Sequence, residues 1–425
     1  MPIDETAARA HVLRPAHVLG IVSSKGLDED FVAPVLEFAG AAPGLYYLDV
    51  DGFGRALHAA LQDQVAGYVV RLRQHGSSIY QREWNWAKTP SDGSQSWTPG
   101  VKMHVASCSK FVTATAVTRL LHDKGLSADT PIIGFLPNYW AKGPNIEKIT
   151  FRHLLTHTSG FATELSDSDF EFMKAHVAAG VTKVGDYDYE NMNFGLCRIL
   201  IATVQGVIAP SATFSIPFLP NANDIVWDLQ TIGAYVQYVQ TIVFGPAGVS
   251  GATLDHPVGD ALAYNQPVVG NGWNSGDLAT MSGGAGWHLS VDDLLAVMGT
   301  LRRGGSIMSS VAAQAMLDDG FGIDIQRLTP MGWMYSKDGL WGKDGRLEQS
   351  ALLMLPRDME LVAFANSPIG MPGKFLRDVV SACYLAAIQA GRSVRGYFER
   401  TGQPVTSSVH ASAAPSLSVR QMLLN

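Results

Sequence analysis

The sequence predicts a mixed α/β (α+β) fold with antiparallel strands near both ends of the domain and helices between them, and three observations support this. Val65-Ala-Gly-Tyr-Val-Val-Arg-Leu-Arg-Gln-His75 carries the β-branched, alternating residues of a strand, and Gly76-Ser77 turns it into a second strand at Ser78-Ile-Tyr-Gln-Arg82. A second pair, Gln349–Leu355 and Glu360–Asn366, is separated by Pro356-Arg-Asp358, the spacing of a hairpin. Between them, Lys110–His122 places Ala114, Val117, Leu120 and Leu121 at helical spacing, as a buried helix would.

In chain order, residues 1–61 precede the recognisable domain. They hold a short apolar strand candidate at Val18–Val22 and a Gly/Pro-interrupted segment at Ala42-Pro-Gly44, and form an extension that either packs on the main domain or binds a partner. Residues 62–392 read as the main domain: an α/β lobe over about 62–125 and 281–392, and a turn-rich helical lobe over about 126–280. A closing helix is expected over Gly373–Ile388, and residues 393–425 read as a flexible or loosely docked tail. The uncharged stretch Ile199–Pro220 holds Pro210, Pro217 and Gln205, which argue against a membrane span and for a partly buried loop beside the active site.

The chemistry begins at Ser107-Cys-Ser-Lys110. Residues i and i+3 share a helix face, so the Lys110 amine can reach the Ser107 hydroxyl at the first turn of its helix. Unpaired amides and the positive dipole end favour developing negative charge there. Cys108 points roughly 100° away around that helix and is expected to pack. Downstream, in order, come Tyr189-Glu-Asn191 and Lys343-Asp-Gly345, together with Ile149-Thr-Phe-Arg-His-Leu-Leu-Thr-His-Thr-Ser-Gly160 and Gly283-Gly-Ala-Gly-Trp-His-Leu-Ser-Val-Asp-Asp-Leu294. This ordered set resembles the serine β-lactamase-like and penicillin-binding-protein-like superfamily, with its class C β-lactamases, DD-peptidases and family VIII carboxylesterases, over roughly residues 62–392.

The resemblance implies a β-lactamase/transpeptidase-like fold, an antiparallel sheet flanked by helices plus an all-helical lobe, with the site in the cleft between the lobes. It also implies an acyl-enzyme on Ser107. A serine hydroxyl needs a base, and the reference pKa values of about 10.4 for lysine and about 10 for tyrosine are too high without help. Cationic neighbours Lys110 and Lys343 would supply that help to Tyr189, and Lys110 and Tyr189 would act as one unit, with either holding the proton at rest. The implied oxyanion donors are the backbone N–H groups of Ser107 and Arg346, after Lys343-Asp-Gly345. Asn191 would orient Lys110 or a substrate carbonyl.

Composition bounds the rest. The 425 residues are 47% hydrophobic and 16% charged with a net charge of −7, which fits a globular enzyme and disfavours nucleic-acid binding. Cys108, Cys197 and Cys383 are too few and too dispersed for a disulfide framework or a metal cluster, so no cofactor or metal is expected. Met1-Pro-Ile-Asp-Glu-Thr6 lacks a basic n-region, so the expected location is cytoplasmic. Gly248-Val-Ser-Gly-Ala252 approaches the nucleophile elbow of another hydrolase fold but ends on the wrong residue.

Asp344 stands where the family has a hydroxyl residue, and an acid there would repel a β-lactam carboxylate. Between Ile199 and Leu301 there is no Lys or Arg but seven Asp. The expected activity is therefore carboxylesterase or amidase action on neutral small molecules. The alternatives are an acyltransferase, a β-lactamase or D-amino-acid peptidase, and a non-catalytic scaffold. The partner is a small-molecule ester, amide or lactam, and the sequence does not specify an oligomeric state.

Overall fold

The computed structural model describes residues 46–163, 167–370 and 373–390. The strand candidate at Val18–Val22, the segment at Ala42–Gly44 and the tail 393–425 lie outside the described residues.

The described chain opens with β1 (Tyr46–Leu48), α1 (Val50–Leu61), the hairpin β2 (Gly67–Gln74) and β3 (Ser77–Lys88), and short strands β4 (Gln95–Ser96) and β5 (Met103–His104). Helices α2 (Ser109–Lys124), α3 (Phe151–Leu155), α4 (Phe170–Ala179), α5 (Asn191–Gln205) and α6 (Ala222–Val239) follow. The chain returns through β6 (His288–Leu289), α7 (Val291–Gly299) and α8 (Ser310–Asp318). It then forms β7 (Ile325–Thr329), β8 (Gly332–Lys343), β9 (Arg346–Leu355), β10 (Met359–Ala365), α9 (Leu376–Ala386) and β11 (Ile388–Ala390).

Seven strands form one antiparallel sheet in the order β4-β3-β2-β10-β9-β8-β7. Successive side chains of a strand point to opposite faces, and here both faces are covered. Leu72, Leu361 and Leu353 lie abreast on one face, in an apolar cluster with Phe53 and Leu57 of α1 and Val380 and Tyr384 of α9. Val69, Val362, Phe364, Leu352 and Met354 point the other way, into a larger cluster with Phe111 of α2 and Leu294 and Met298 of α7. Double burial explains why β10 reads as a nearly continuous apolar run. Helix α1 lies ahead of the domain start expected at residue 62 and packs on this sheet together with α9.

Helix α2 is buried on almost all sides from Ser109 to Val117, as a helix in the middle of a core must be. Thr113 and Thr115 turn their hydroxyls back onto backbone carbonyls one turn earlier, so neither is left as an unmet polar group. The helix ends at Gly125, whose φ of 63° closes the last turn in the left-handed region.

One expectation is corrected. The stretch from Ile199 is not a loop at its start: α5 runs to Gln205, with Ile199–Val204 buried, and only then does the chain come out to an exposed segment where Phe218 is fully exposed. Absence of charge marked a buried helix rather than a loop. Among the described residues no helix is long and apolar enough to cross a membrane.

Leu361 has no exposed surface in the middle of the outer cluster, so Leu361→Ala is expected to destabilise the protein by about 2–5 kcal/mol. Denaturant unfolding at equilibrium measures this, and a loss below about 1 kcal/mol would contradict the packing described.

Candidate active site

Strand β5 leads through Val105 into a tight helical turn, Ala106–Cys108, that feeds α2. Ala106 has φ of 46°, a conformation alanine rarely adopts, immediately before Ser107. The turn is held there by the sheet behind it. Ser350 of β9 donates its hydroxyl to the Val105 carbonyl at 2.7 Å, and the Cys108 thiol lies 3.7 Å from the Lys337 carbonyl of β8. Burial pushes the Cys108 thiol up to about 12, so it is an inert packing group beside the serine.

Ser107 is buried, and two groups converge on its hydroxyl. The Lys110 amine donates to Ser107 Oγ at 3.0 Å, and the Tyr189 hydroxyl lies 2.7 Å from the same oxygen. Lys110 is fully buried and donates also to Asn191 Oδ1 at 2.6 Å and to the Gly284 carbonyl at 2.8 Å. Tyr189 lies in the extended segment just before α5, and Asn191 is the first residue of that helix, which explains their two-residue spacing.

Four of the residues read from the sequence, Ser107, Lys110, Tyr189 and Asn191, are therefore brought together. The other three, Lys343, Gly345 and Arg346, are not. Lys343 pairs with Arg346 across a two-residue turn, and Asp344 and Gly345 at its tip have φ of 52° and 80°. An Asp-Gly pair at positive φ is the signature of a tight hairpin connection, and Lys343 and Gly345 are exposed on it.

The lysine that reaches the site is Lys337, from an identical Lys-Asp-Gly triplet six residues earlier in β8. It is buried, its amine is 3.5 Å from the Tyr189 hydroxyl and 5.0 Å from that ring's centre, and it pairs with Asp324 at 2.5 Å. Gly339 explains the match between strand and turn. A Cβ there would lie 2.3 Å from the Val105 carbonyl oxygen and 3.1 Å from the Cys108 nitrogen. Only glycine lets β8 approach the nucleophile turn so closely.

The residue that follows the triplet at the site is Leu340. The Asp324 amide donates to the Ser336 carbonyl, and the Asp338 amide donates to Asp324 Oδ2 at 3.1 Å. Alternate residues of a strand direct their amides to the same edge, so the Leu340 N–H faces that edge beyond the end of β7.

Further groups lie at the site. His157, in the Ile149–Gly160 stretch that carries the resemblance but with no chemistry assigned to it from the sequence, stacks on Tyr189 with ring centres 4.2 Å apart and accepts the Glu190 amide at Nδ1. Arg377, from α9 on the far layer, lies 3.3 Å from Asp324 and 3.6 Å from Asp338. The rival serine, Ser250, lies in a turn before Gly251 and not between a strand and a helix; its carbonyl accepts the Lys102 amine.

Comparison with known proteins follows the same lines. The β-lactamase family profile matches residues 51–214. The esterase EstB of Burkholderia gladioli is 24% identical over 326 residues, covering 68% of this chain and 80% of that protein. A Bacillus subtilis (strain 168) protein whose name calls it a penicillin-binding protein, PbpX, is 26% identical over 159 residues, and the match spans 36% of this chain and only about a third, 33%, of that protein. A class C β-lactamase structure from Rhodobacter sphaeroides superposes with a TM-score of 0.55 at 16% identity, over 79% of this chain and 98% of that one.

Gly339→Ala is expected to push β8 off the nucleophile turn and to destabilise the protein by about 1–3 kcal/mol, as forced overpacking does. A melting temperature equal to that of the unmodified protein would show that the approach is looser than described.

Proposed function

Because the chain belongs to the serine β-lactamase and penicillin-binding-protein-like superfamily, we propose that it is a serine hydrolase that forms an acyl-enzyme on Ser107 and acts on uncharged ester or amide substrates. The observation that carries this reading is the convergence of Lys110 and Tyr189 on one buried serine hydroxyl.

The hydrogen bonds support a division of labour. Three acceptors surround the Lys110 amine, matching the three donors of an ammonium. Lys110 then supplies charge and orientation, and Tyr189, with the Lys337 amine 3.5 Å from its hydroxyl and the Lys110 amine 4.9 Å from its ring centre, takes the proton. In acylation Ser107 Oγ bonds to the substrate carbonyl carbon and its proton passes to Tyr189. The C–O or C–N bond to the leaving group then breaks, and Tyr189 returns the proton to that group. In deacylation water attacks the ester carbon, its proton passes to Tyr189, the bond to Oγ breaks and the proton returns to Ser107. The Ser107 and Leu340 amides are the proposed donors to the oxyanion, each worth about 10²–10³ in rate.

The substrate argument that rested on Asp344 passes to Asp338, the acid of the triplet in the site. Lys337 and Arg377 face Asp324 and Asp338, two cations against two carboxylates, which leaves little positive charge for a substrate carboxylate. The acidic segment contributes less than its composition suggests, because Asp224, Asp228, Asp292 and Asp293 are each paired with a Lys or Arg. Acyl esters that differ only in one carboxylate should be turned over at clearly different rates, the neutral one faster; equal rates would remove the charge argument.

Ser107→Ala should abolish the burst of product from a nitrophenyl ester and labelling by a fluorophosphonate. Tyr189→Phe should lower kcat by about 10²–10⁴, the usual contribution of a general base. The two lysines separate the two triplets: Lys337→Ala should lose at least about 10²-fold in kcat/KM, while Lys343→Ala should stay within about twofold. The reverse order would return the third motif to residues 343–345.

A further inference from the structure

Away from the nucleophile, His256, Asp260 and His288 bring one donor atom each to within 4.8 Å of one another. Nothing in the mechanism above uses them. His288 is completely buried on β6, and its Nδ1 lies 3.2 Å from the Gly286 carbonyl. Only a protonated Nδ1 can make that bond, so Nε2 carries the lone pair, and Nε2 is a buried atom with no hydrogen-bond partner among the described residues. Asp260 Oδ2 and His256 Nδ1 are buried and unpartnered in the same way.

Three buried acceptor-capable atoms on neighbouring side chains, none with a partner among the described residues, are costly to leave unmet, since each such group costs about 1–3 kcal/mol. A cation removes that cost for all three at once. We infer that His256, Asp260 and His288 form a binding site for one divalent transition-metal ion of the zinc type.

The donor set selects the class of ion. Two imidazole nitrogens and one carboxylate suit zinc and its first-row neighbours, whereas calcium and magnesium take oxygen ligands almost throughout. Three protein ligands leave a position for water. The bond from His288 Nδ1 to a backbone carbonyl is the arrangement that fixes the tautomer of a metal-binding histidine.

Burial holds the His288 imidazole neutral, the form that ligates, its pKa down to about 3, with His104 and His256 adding to the effect. It lowers the His256 imidazole as well, with Lys88 second. For Asp260 the sign is opposite: burial pushes its carboxyl up to about 7, against the pull of Lys102 and Lys88, so an ion binding there displaces a proton. Lys102 is itself engaged elsewhere, donating to the Ser250 carbonyl at 2.7 Å and lying 3.8 Å from Asp293.

The position suggests what the ion does. The His288 amide already donates to the Thr253 carbonyl, and Ala261 donates to the Lys102 carbonyl. An ion held by His256 and Asp260 from the loop and His288 from the strand would pin residues 253–261 onto the β5–β6 ladder that leads to Ser107. The sequence carries no cysteine cluster and leads to the expectation of no metal; a four-residue His–Asp step with its third ligand 28 residues on forms no compact ligand motif.

The test uses the full chain purified without a histidine tag. Bound metals are measured by elemental analysis, and zinc affinity by competition with a chelator, for the unmodified protein and for Asp260→Asn and His256→Gln. These two positions are chosen because His288 is fully buried and its replacement could unfold the chain. We expect about one zinc per chain, an affinity at least about 100-fold weaker in each variant with unchanged far-ultraviolet circular dichroism, and visible d–d bands in the cobalt-loaded protein that neither variant shows. Equal zinc affinity in all three proteins would overturn the inference and leave the cluster as the lining of a buried water. None of these readouts depends on hydrolase activity, so the inference and the proposed function fail separately.

Discussion

Taking an ammonium group out of water costs several kcal/mol, and the cost is offset only where acceptors meet it with good geometry. Lys110 is wholly buried, and its acceptors come from three places in the chain: Ser107 on the turn before its own helix, Asn191 at the start of α5 and Gly284 in the loop before β6. These segments are more than eighty residues apart in sequence. The requirement to surround one cation therefore fixes the nucleophile turn, the helical part and the return to the sheet against each other. Tyr189 is placed by the same requirement, because it is two residues from Asn191. Misplacing any acceptor would leave a buried polar group unmet, which makes the arrangement stiff.

The second cation is handled differently. Lys337 comes from the sheet, and its charge is matched by Asp324 next to the end of β7, which in turn is shared with Arg377 from α9 on the outer layer. Burial in such a pair is tolerated because each member has further partners; removing one would strand the rest. The consequence for chemistry is that Lys337 can lie against Tyr189 without making the pocket strongly cationic. Lys110 draws on neutral acceptors near the serine, whereas Lys337 faces a carboxylate.

How much of this was legible depended on whether the information was local. The Ser107–Lys110 and Tyr189–Asn191 pairs each lie within one turn of chain, so residue spacing predicts their neighbourhood directly. The hairpin at 349–366 was legible for the same reason. The third motif occurs twice, at 337–339 and 343–345, and the composition of the triplet cannot choose between them. Turn chemistry can: Asp344-Gly345 sits between two strand-forming runs with a length suited to a tight connection, which assigns the second copy to the apex and leaves the first in the strand. Arg377 and Asp324 were invisible because each reaches the site through tertiary packing, and His157 was visible as part of a recognisable stretch but its contact with Tyr189 was not. Ile199–Val204 was misread because an uncharged run is equally compatible with a loop and with a fully buried helix until burial is known.

The nucleophile turn also needs an anchor on its upstream side, and His104 provides it without adding charge. The Gly286 amide donates to His104 Nε2 at 3.1 Å, so the ring proton is on Nδ1, which lies 2.8 Å from Glu348 Oε2. Both side chains are completely buried. Burial, with the nearby Lys110 charge second, brings the His104 pKa down to about 3, and burial pushes the Glu348 carboxyl well above its ordinary range. The pair is therefore best described as an uncharged imidazole and an uncharged carboxyl tied by hydrogen bonds. An imidazolium three residues before Ser107 would oppose Lys110 from inside the core, raising the cost of the cation on which the site is built. A neutral pair tethers β5 to β9 equally well, while Ser350, two residues along the same strand, holds the Val105 carbonyl. The serine is thus fixed from both sides, by a charge that is surrounded and by a tether that carries none.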